Sequence, residues 1–222
     1  MAKIEELSAN IKTRFNGFIE NIIIFRGELT LEVRAENLLE VSMALRDETM
    51  FGFNMLIDVC GVDYLHYGIS EWETESATAS GFERGVTQDN ENYTGKRFVS
   101  VYHLLSIPNN YRIRLKVFLD EKNPVVPSVV HIWPAANWFE REAFDLFGII
   151  YQGHPDLRRL LTDYGFLGHP FRKDFPLIGK VEARYDAKEQ RVVYEPVSIE
   201  PRVLEPKVIR LDPRYESGEN NG

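Results

Sequence analysis

Apolar residues recur at three- and four-residue steps over residues 3–18, at Ile4, Leu7, Ile11, Phe15 and Phe18. That spacing predicts an amphipathic helix, which Gly17 would end. Ile22–Phe25 and Leu29–Arg34 then read as two strands around an Arg26-Gly27-Glu28 turn, the second alternating Leu29, Leu31 and Val33 with polar residues. Asn37 is placed to cap a helix over 38–47, and residues 53–59 are apolar enough for a buried strand. Residues 98–107 and 111–120 predict a hairpin turned by Pro108-Asn109-Asn110. In its second strand Ile113, Leu115, Val117 and Leu119 alternate with Arg112, Arg114, Lys116 and Phe118, giving one buried and one exposed face.

Two stretches break the pattern. Residues 71–95 lack periodicity and carry six acids against one base, so they read as a mobile surface insertion, with an acidic docking loop as the alternative. Near the end, Glu-Pro recurs every five residues at 195–196, 200–201 and 205–206, with Val, Ile and Leu between. Proline at that density disfavours helix and central strand, yet the aliphatics suit an arm that lies on something. At about 3.3 Å per residue, 30 residues would reach on the order of 100 Å.

Composition narrows the function. The chain has 222 residues, one domain with a substantial extra or two small ones. A net charge of −8 opposes a phosphate backbone, so nucleic acid is not expected as a partner. The single cysteine, Cys60, allows neither an intrachain disulfide nor a protein-ligated iron–sulfur cluster, and fits a reducing compartment. The N-terminus resembles neither a signal nor a transit peptide, and no apolar run approaches the ~18 residues of a membrane span.

Chemistry concentrates in residues 137–180. Asn137 and Glu140 fit a capping box, and Gly148 a helix stop. On the wheel, Phe139, Ala143, Phe144, Leu146 and Phe147 share a face. Arg141, Glu142 and Asp145 lie opposite, with Arg141 and Asp145 four apart and able to pair. Glu140 points to the apolar side, where a carboxylate must cap, pair or meet an interface. Glu142 and Asp145 could share a metal at i, i+3, but no Glu-x-x-His accompanies them, so cap and ion pairs outweigh catalysis.

An internal echo follows. Gly153-His154-Pro155 precedes Arg158-Arg159, and Gly168-His169-Pro170 precedes Arg172-Lys173. Two histidines without nearby partners make a weak metal site, and no glycine-rich loop after a strand supports phosphate binding. Interleaved acids at Asp156, Asp163 and Asp174 favour an ion-pair network at a surface that matches a partner's charges.

These words resemble a known family. Glu140-Arg141-Glu142-Ala143-Phe144-Asp145-Leu146-Phe147-Gly148-Ile149, then Gly153 through Arg159, Leu160-Leu161-Thr162-Asp163-Tyr164-Gly165-Phe166 and Gly168 through Pro176 are similar to the signature of the 30-kDa subunit of respiratory complex I, the C-type subunit of NADH–quinone oxidoreductase in bacteria. Trp133 through Trp138 and Arg191 through Pro196 also resemble it, so the likeness spans roughly 98–200.

The resemblance implies a structural subunit of the hydrophilic arm, without a redox centre, packed on a 49-kDa-type neighbour and other arm subunits. FMN, iron–sulfur clusters and quinone would belong to the assembled complex, which couples NADH oxidation to proton translocation. It further implies a peripheral position on the cytoplasmic face of the inner membrane (the matrix side in mitochondria), with membrane contact only through the complex. The expected interface residues are Glu140, Arg141, Glu142, Asp145, His154, Asp156, Arg158, Arg159, Asp163, His169, Arg172, Lys173 and Asp174. Related subunits in membrane-bound hydrogenases and photosynthetic NDH-type complexes offer the same scaffold in another assembly. A stand-alone enzyme using Glu140, Glu142 and His154 is the rival from a different class.

The expected fold is a two-layer α+β domain over 1–133, with a mixed or antiparallel sheet covered by the 3–18 and 38–47 helices. A docking segment over 134–180 and an extended arm over 181–222 follow.

Overall fold

A computed structural model describes residues 2–65, 67, 77–78, 81–82, 96–176, 179 and 181–198. Most of the acidic stretch 71–95 and the Glu-Pro arm beyond 198 lie outside the described residues.

Helix α1 (Ala2–Arg14) leads into β1 (Ile19–Phe25) and β2 (Glu28–Val33). A 3-10 turn at Ala35–Asn37 opens α2 (Leu38–Asp47), and β3 (Met55–Asp63) follows. The short strands β4 (Ala77–Thr78) and β5 (Gly81–Phe82) precede β6 (Phe98–Ser106), β7 (Tyr111–Leu119) and β8 (Val125–Pro127). Then come α3 (Ala136–Phe147), β9 (Ile150–Gln152), β10 (Val181–Asp186) and β11 (Arg191–Pro196).

The main sheet is mixed, in the order β1-β2-β7-β6-β3, with β2 and β7 parallel and the other pairs antiparallel. Register puts Leu31 of β2, Leu115 of β7 and Tyr102 of β6 in one row, with Leu29, Ile113 and Leu104 in the next. All six are buried, and Leu7 and Ile11 of α1, with Phe15 just after it, join them in one core with Leu38, Val41 and Leu45 of α2. The alternation read from the sequence therefore selects the helix-covered face. Glycine lets α3 close onto β3: a Cβ at Gly61 would overlap the Phe147 ring.

Some boundaries differ from the expected ones. The first helix stops at Arg14 rather than 18, because Gly17 takes φ +88° in the following turn. Asn37 stands at the start of α2 but makes no side-chain cap. Its Nδ2 donates instead to the Phe18 carbonyl at 3.3 Å, tying the helix entry to the chain before β1.

Residues 1–66 and 93–175 form one compact unit, so α3 and the charge-dense segment up to Phe175 share a unit with the sheet. The second unit comprises 67–92 and 176–222. Within it, residues expected to begin an extended arm form a hairpin instead, β10 pairing antiparallel with β11. The prolines expected to forbid strand structure lie from Pro196 onward, at or beyond its last pair. Opposed pairs Ala183/Tyr194 and Tyr185/Val192 share one hairpin face, while Arg184 bonds Glu195 at 2.8 Å on the other side.

Candidate functional site

Helix α3 organises the charge-dense segment. It starts at Ala136, one residue before the expected cap, and the Asn137–Glu140 capping box does not form. Glu140 is fully buried. Its carboxylate accepts from Ser128 Oγ at 2.6 Å and the Val129 amide at 2.8 Å. Burial pushes its pKa up and the two hydrogen bonds pull it down. Burial prevails, leaving it at about 7. The carboxyl thus locks the 128–129 turn to the helix with neither a cation nor a cap.

The other end of α3 is closed by the second Gly-His-Pro echo. Helix ends leave four carbonyls without intrahelical donors. Here Gly148, in the left-handed region at φ +75°, donates to Phe144 O. The His169 ring meets Asp145 O through Nδ1 at 2.9 Å, the Phe171 amide bonds Leu146 O at 3.1 Å, and Arg172 Nε bonds Phe147 O at 2.7 Å. All four carbonyls are therefore satisfied. Arg172 also lies over the Phe98 ring, and its pKa is lowered by burial and then by nearby Arg97.

The helical wheel puts Asp145 on the polar face, able to pair with Arg141. The structure buries it fully, and the two do not pair. Its Oδ2 accepts from three successive amides, Leu160 at 2.9 Å, Leu161 at 2.7 Å and Thr162 at 2.9 Å. Its Oδ1 accepts from Thr162 Oγ1 at 2.5 Å and from Arg159 Nη1 at 2.9 Å. Burial alone would raise the pKa. The Thr162 hydroxyl and the amides outweigh it and hold the carboxyl well below the usual carboxylate range. Arg141, also buried, donates to the carbonyls of Arg158 and Arg159 and stacks on Trp138.

A second buried cluster fastens the end of the segment. Arg97 grips Asp63 through two bonds of 2.8 and 2.7 Å and reaches Asp174 at 2.9 Å, while the Lys173 amide donates to Asp63. The bond to Asp63 raises the Arg97 pKa far above its ordinary value.

Not all expected site residues converge. His154 sits at the other end of α3, its Nε2 3.2 Å from Asn137 O. Arg158 and Asp156 pair with each other on the exposed surface at 2.8 Å. Among the described residues Glu142, Asp163 and the Lys173 ammonium have no ion pair. Glu140, Glu142 and His154 face three different surroundings and make no common site. No group of three or more metal-ligating side chains occurs among the described residues.

The sequence reading missed Ser128, Thr162, Arg97, Asp63 and Phe98, which hold the signature charges from inside. It also missed what the braced loop presents outward. Leu161 is 62% exposed, Leu167 88% and Tyr164 fully. Apolar residues without period in a Gly-rich loop were the available signal.

Residues 31–181 match the family of the respiratory-chain NADH dehydrogenase 30-kDa subunit. The chain belongs to this family. All thirteen expected interface residues of this 30-kDa-type subunit lie inside the matched region. Relatives agree over full length. The NADH-quinone oxidoreductase C-type subunit of Coxiella burnetii is 57% identical over 99% of this chain and 98% of its own. That of Legionella pneumophila is 56% identical over 100% and 99%. A chain from the membrane-bound sulfane sulfur reductase, an archaeal respiratory membrane complex, shares the fold with TM-score 0.57 at 20% identity, over 86% of this chain and 99% of that one. The 30-kDa-type subunit is thus an α+β component of an NADH–quinone oxidoreductase, in keeping with the resemblance of its signature segment.

Proposed function

We propose that the chain positions its neighbours in the hydrophilic arm and carries no redox centre of its own. It docks on the 49-kDa-type subunit through the loop over residues 157–171, at the cytoplasmic face of the membrane. One observation carries this reading. The signature charges Asp145, Arg159 and Arg172 are engaged inside the chain, and the loop they brace turns Leu161, Tyr164 and Leu167 to the outside. Exposed apolar side chains on a rigid loop are what an interface core requires, and free charges at Glu142, Asp163 and Lys173 suit its rim. The chain would act by geometry, holding a partner surface in fixed register so that cofactors bound elsewhere keep their spacing. No helix among the described residues is long and apolar enough to cross a membrane, consistent with membrane contact through the complex.

The test is purification of the chain, tagged at its N-terminus, from gently solubilised membranes. NADH:quinone reductase activity, flavin and iron–sulfur content are assayed in the eluate. Co-purifying activity with cross-links from 157–171 to the 49-kDa-type subunit is expected. Leu167→Asp with Tyr164→Asp should abolish it while the chain's melting temperature is kept. A colourless, partner-free eluate from the unmodified chain would overturn the reading.

A further inference from the structure

Strand β1 ends the main sheet on the side away from β3 and α3, and among the described residues only β2 pairs with it. Which of its backbone groups face outward follows from the hairpin turn. Arg26 and Gly27 both have positive φ, +52° and +80°, as a two-residue type I′ turn requires. Such a turn closes on a hydrogen-bonded pair, here Phe25/Glu28. Antiparallel alternation then makes Ile23/Thr30 a bonded pair and Ile24/Leu29 and Ile22/Leu31 non-bonded ones. The N–H and C=O groups of Ile22 and Ile24 therefore point away from β2, and no other backbone bond among the described residues engages them.

The side chains leave this edge open and apolar. Paired residues share a face, so Ile22 and Ile24 lie on the helix-covered face with Leu29 and Leu31, and Ile23 and Phe25 lie on the other. Leu29, Ile113 and Leu104 in the row of Ile24 are buried, yet Ile24 is 46% exposed and Phe25 66%. Native edges are usually blunted by lysine or proline. This strand, Ile-Glu-Asn-Ile-Ile-Ile-Phe, contains neither. Its one charge, Glu20, sits at the bulged end and is held by Arg34 at 3.2 Å and Lys96 at 3.8 Å.

A groove of about 510 Å³ runs between this edge and α1, lined by Ile22 and Ile24 on one side and by Ser8 and Lys12 on the other. Lys12 is exposed and has no ion pair among the described residues. Free backbone groups, exposed apolar side chains on both faces and one unmatched cation together specify an occupant. A second copy of this chain matches poorly, because the only acid its own β1 offers is the engaged Glu20.

We propose that the β1 edge receives an extended segment of a partner subunit, which adds a sixth strand to the sheet, covers Ile24 and Phe25 with apolar side chains and sets an acidic one against Lys12. Backbone hydrogen bonds supply affinity, and the groove and Lys12 supply selectivity. The proposal rests on the chain's place in the oxidoreductase. It adds a contact at the opposite end of the sheet from the α3 side, where the 157–171 loop lies.

Amide hydrogen exchange tests it, comparing the isolated full-length chain with the intact complex. In the isolated chain the Ile22 and Ile24 amides should exchange freely while Ile23 is protected by Thr30. In the complex both should slow by roughly tenfold, the factor one net hydrogen bond provides. Ile24→Lys leaves the bonds to β2 in place, and in a complex carrying it Ile22 should return to the exchange rate of the isolated chain. Lys12→Glu should speed both amides several-fold in the complex and leave the isolated chain unchanged. Unchanged exchange on assembly, slow exchange already in the isolated chain, or full protection in both variant complexes would each overturn the proposal. Failure of the chain to co-purify with any oxidoreductase subunit would instead count against the functional reading.

Discussion

Arg159 and Asp145 meet at 2.9 Å around a carboxylate that also gathers the amides of Leu160, Leu161 and Thr162. The neighbouring arginine behaves differently, since Arg158 pairs with Asp156 where both side chains are more than half exposed. Two adjacent arginines of one signature therefore have separate physical roles. Arg159→Met should cost about 3 kcal/mol, because it leaves a buried carboxylate without its cation. Arg158→Met should cost no more than about 0.5–1 kcal/mol. Urea denaturation of the two variants checks the contrast.

Asp145 also sets an acid limit. Its folded pKa is depressed below the ordinary 3.8, so its contribution is present above about pH 4 and is lost as pH falls through the lower folded value. Asp145→Asn should flatten the acid limb of the stability curve. Chemical denaturation of both proteins between pH 2 and 6 measures it.

Glu140 has the opposite sign. Burial lifts its pKa from 4.5 to about 7, so the folded state holds its proton more tightly than the unfolded chain. Its contribution is fully present below pH 4.5 and fades as pH rises through 7. Over that window the loss is on the order of 3 kcal/mol at most. Glu140→Gln keeps an acceptor for Ser128 or Val129 and should remove this slope, so that the variant equals or exceeds the parent at pH 8. Denaturant midpoints across pH 4–8 decide the matter.

Gly148 is constrained twice. Its φ of +75° disfavours any side chain, and a Cβ there would overlap the Arg172 guanidinium and the His169 ring. Gly148→Ala should therefore cost more than the ~1 kcal/mol of left-handed strain alone, since it also dislodges the groups capping α3. A melting temperature lower than that of Gly153→Ala is expected. Gly153 shares a positive φ, but a Cβ there would meet nothing within 4 Å.

The sequence determined a good deal unaided. Alternation at Leu29, Leu31 and Val33 and at Ile113 through Leu119 marked the faces that the core uses, because a strand turns every second side chain to the same side. The uncommon words from Glu140 to Pro176 were enough to indicate the family. Tertiary structure alone decided which way the charges of those words point. A helical wheel puts Asp145 opposite the apolar stripe, and so in water, unless a later segment folds over it. Thr162, seventeen residues away, does that folding-over, and Arg97 fastens the end of the segment through Asp174. Hydrogen bonds made across such separations leave no period in the sequence. They turned a segment that reads as a charged surface into an inward brace with an apolar exterior.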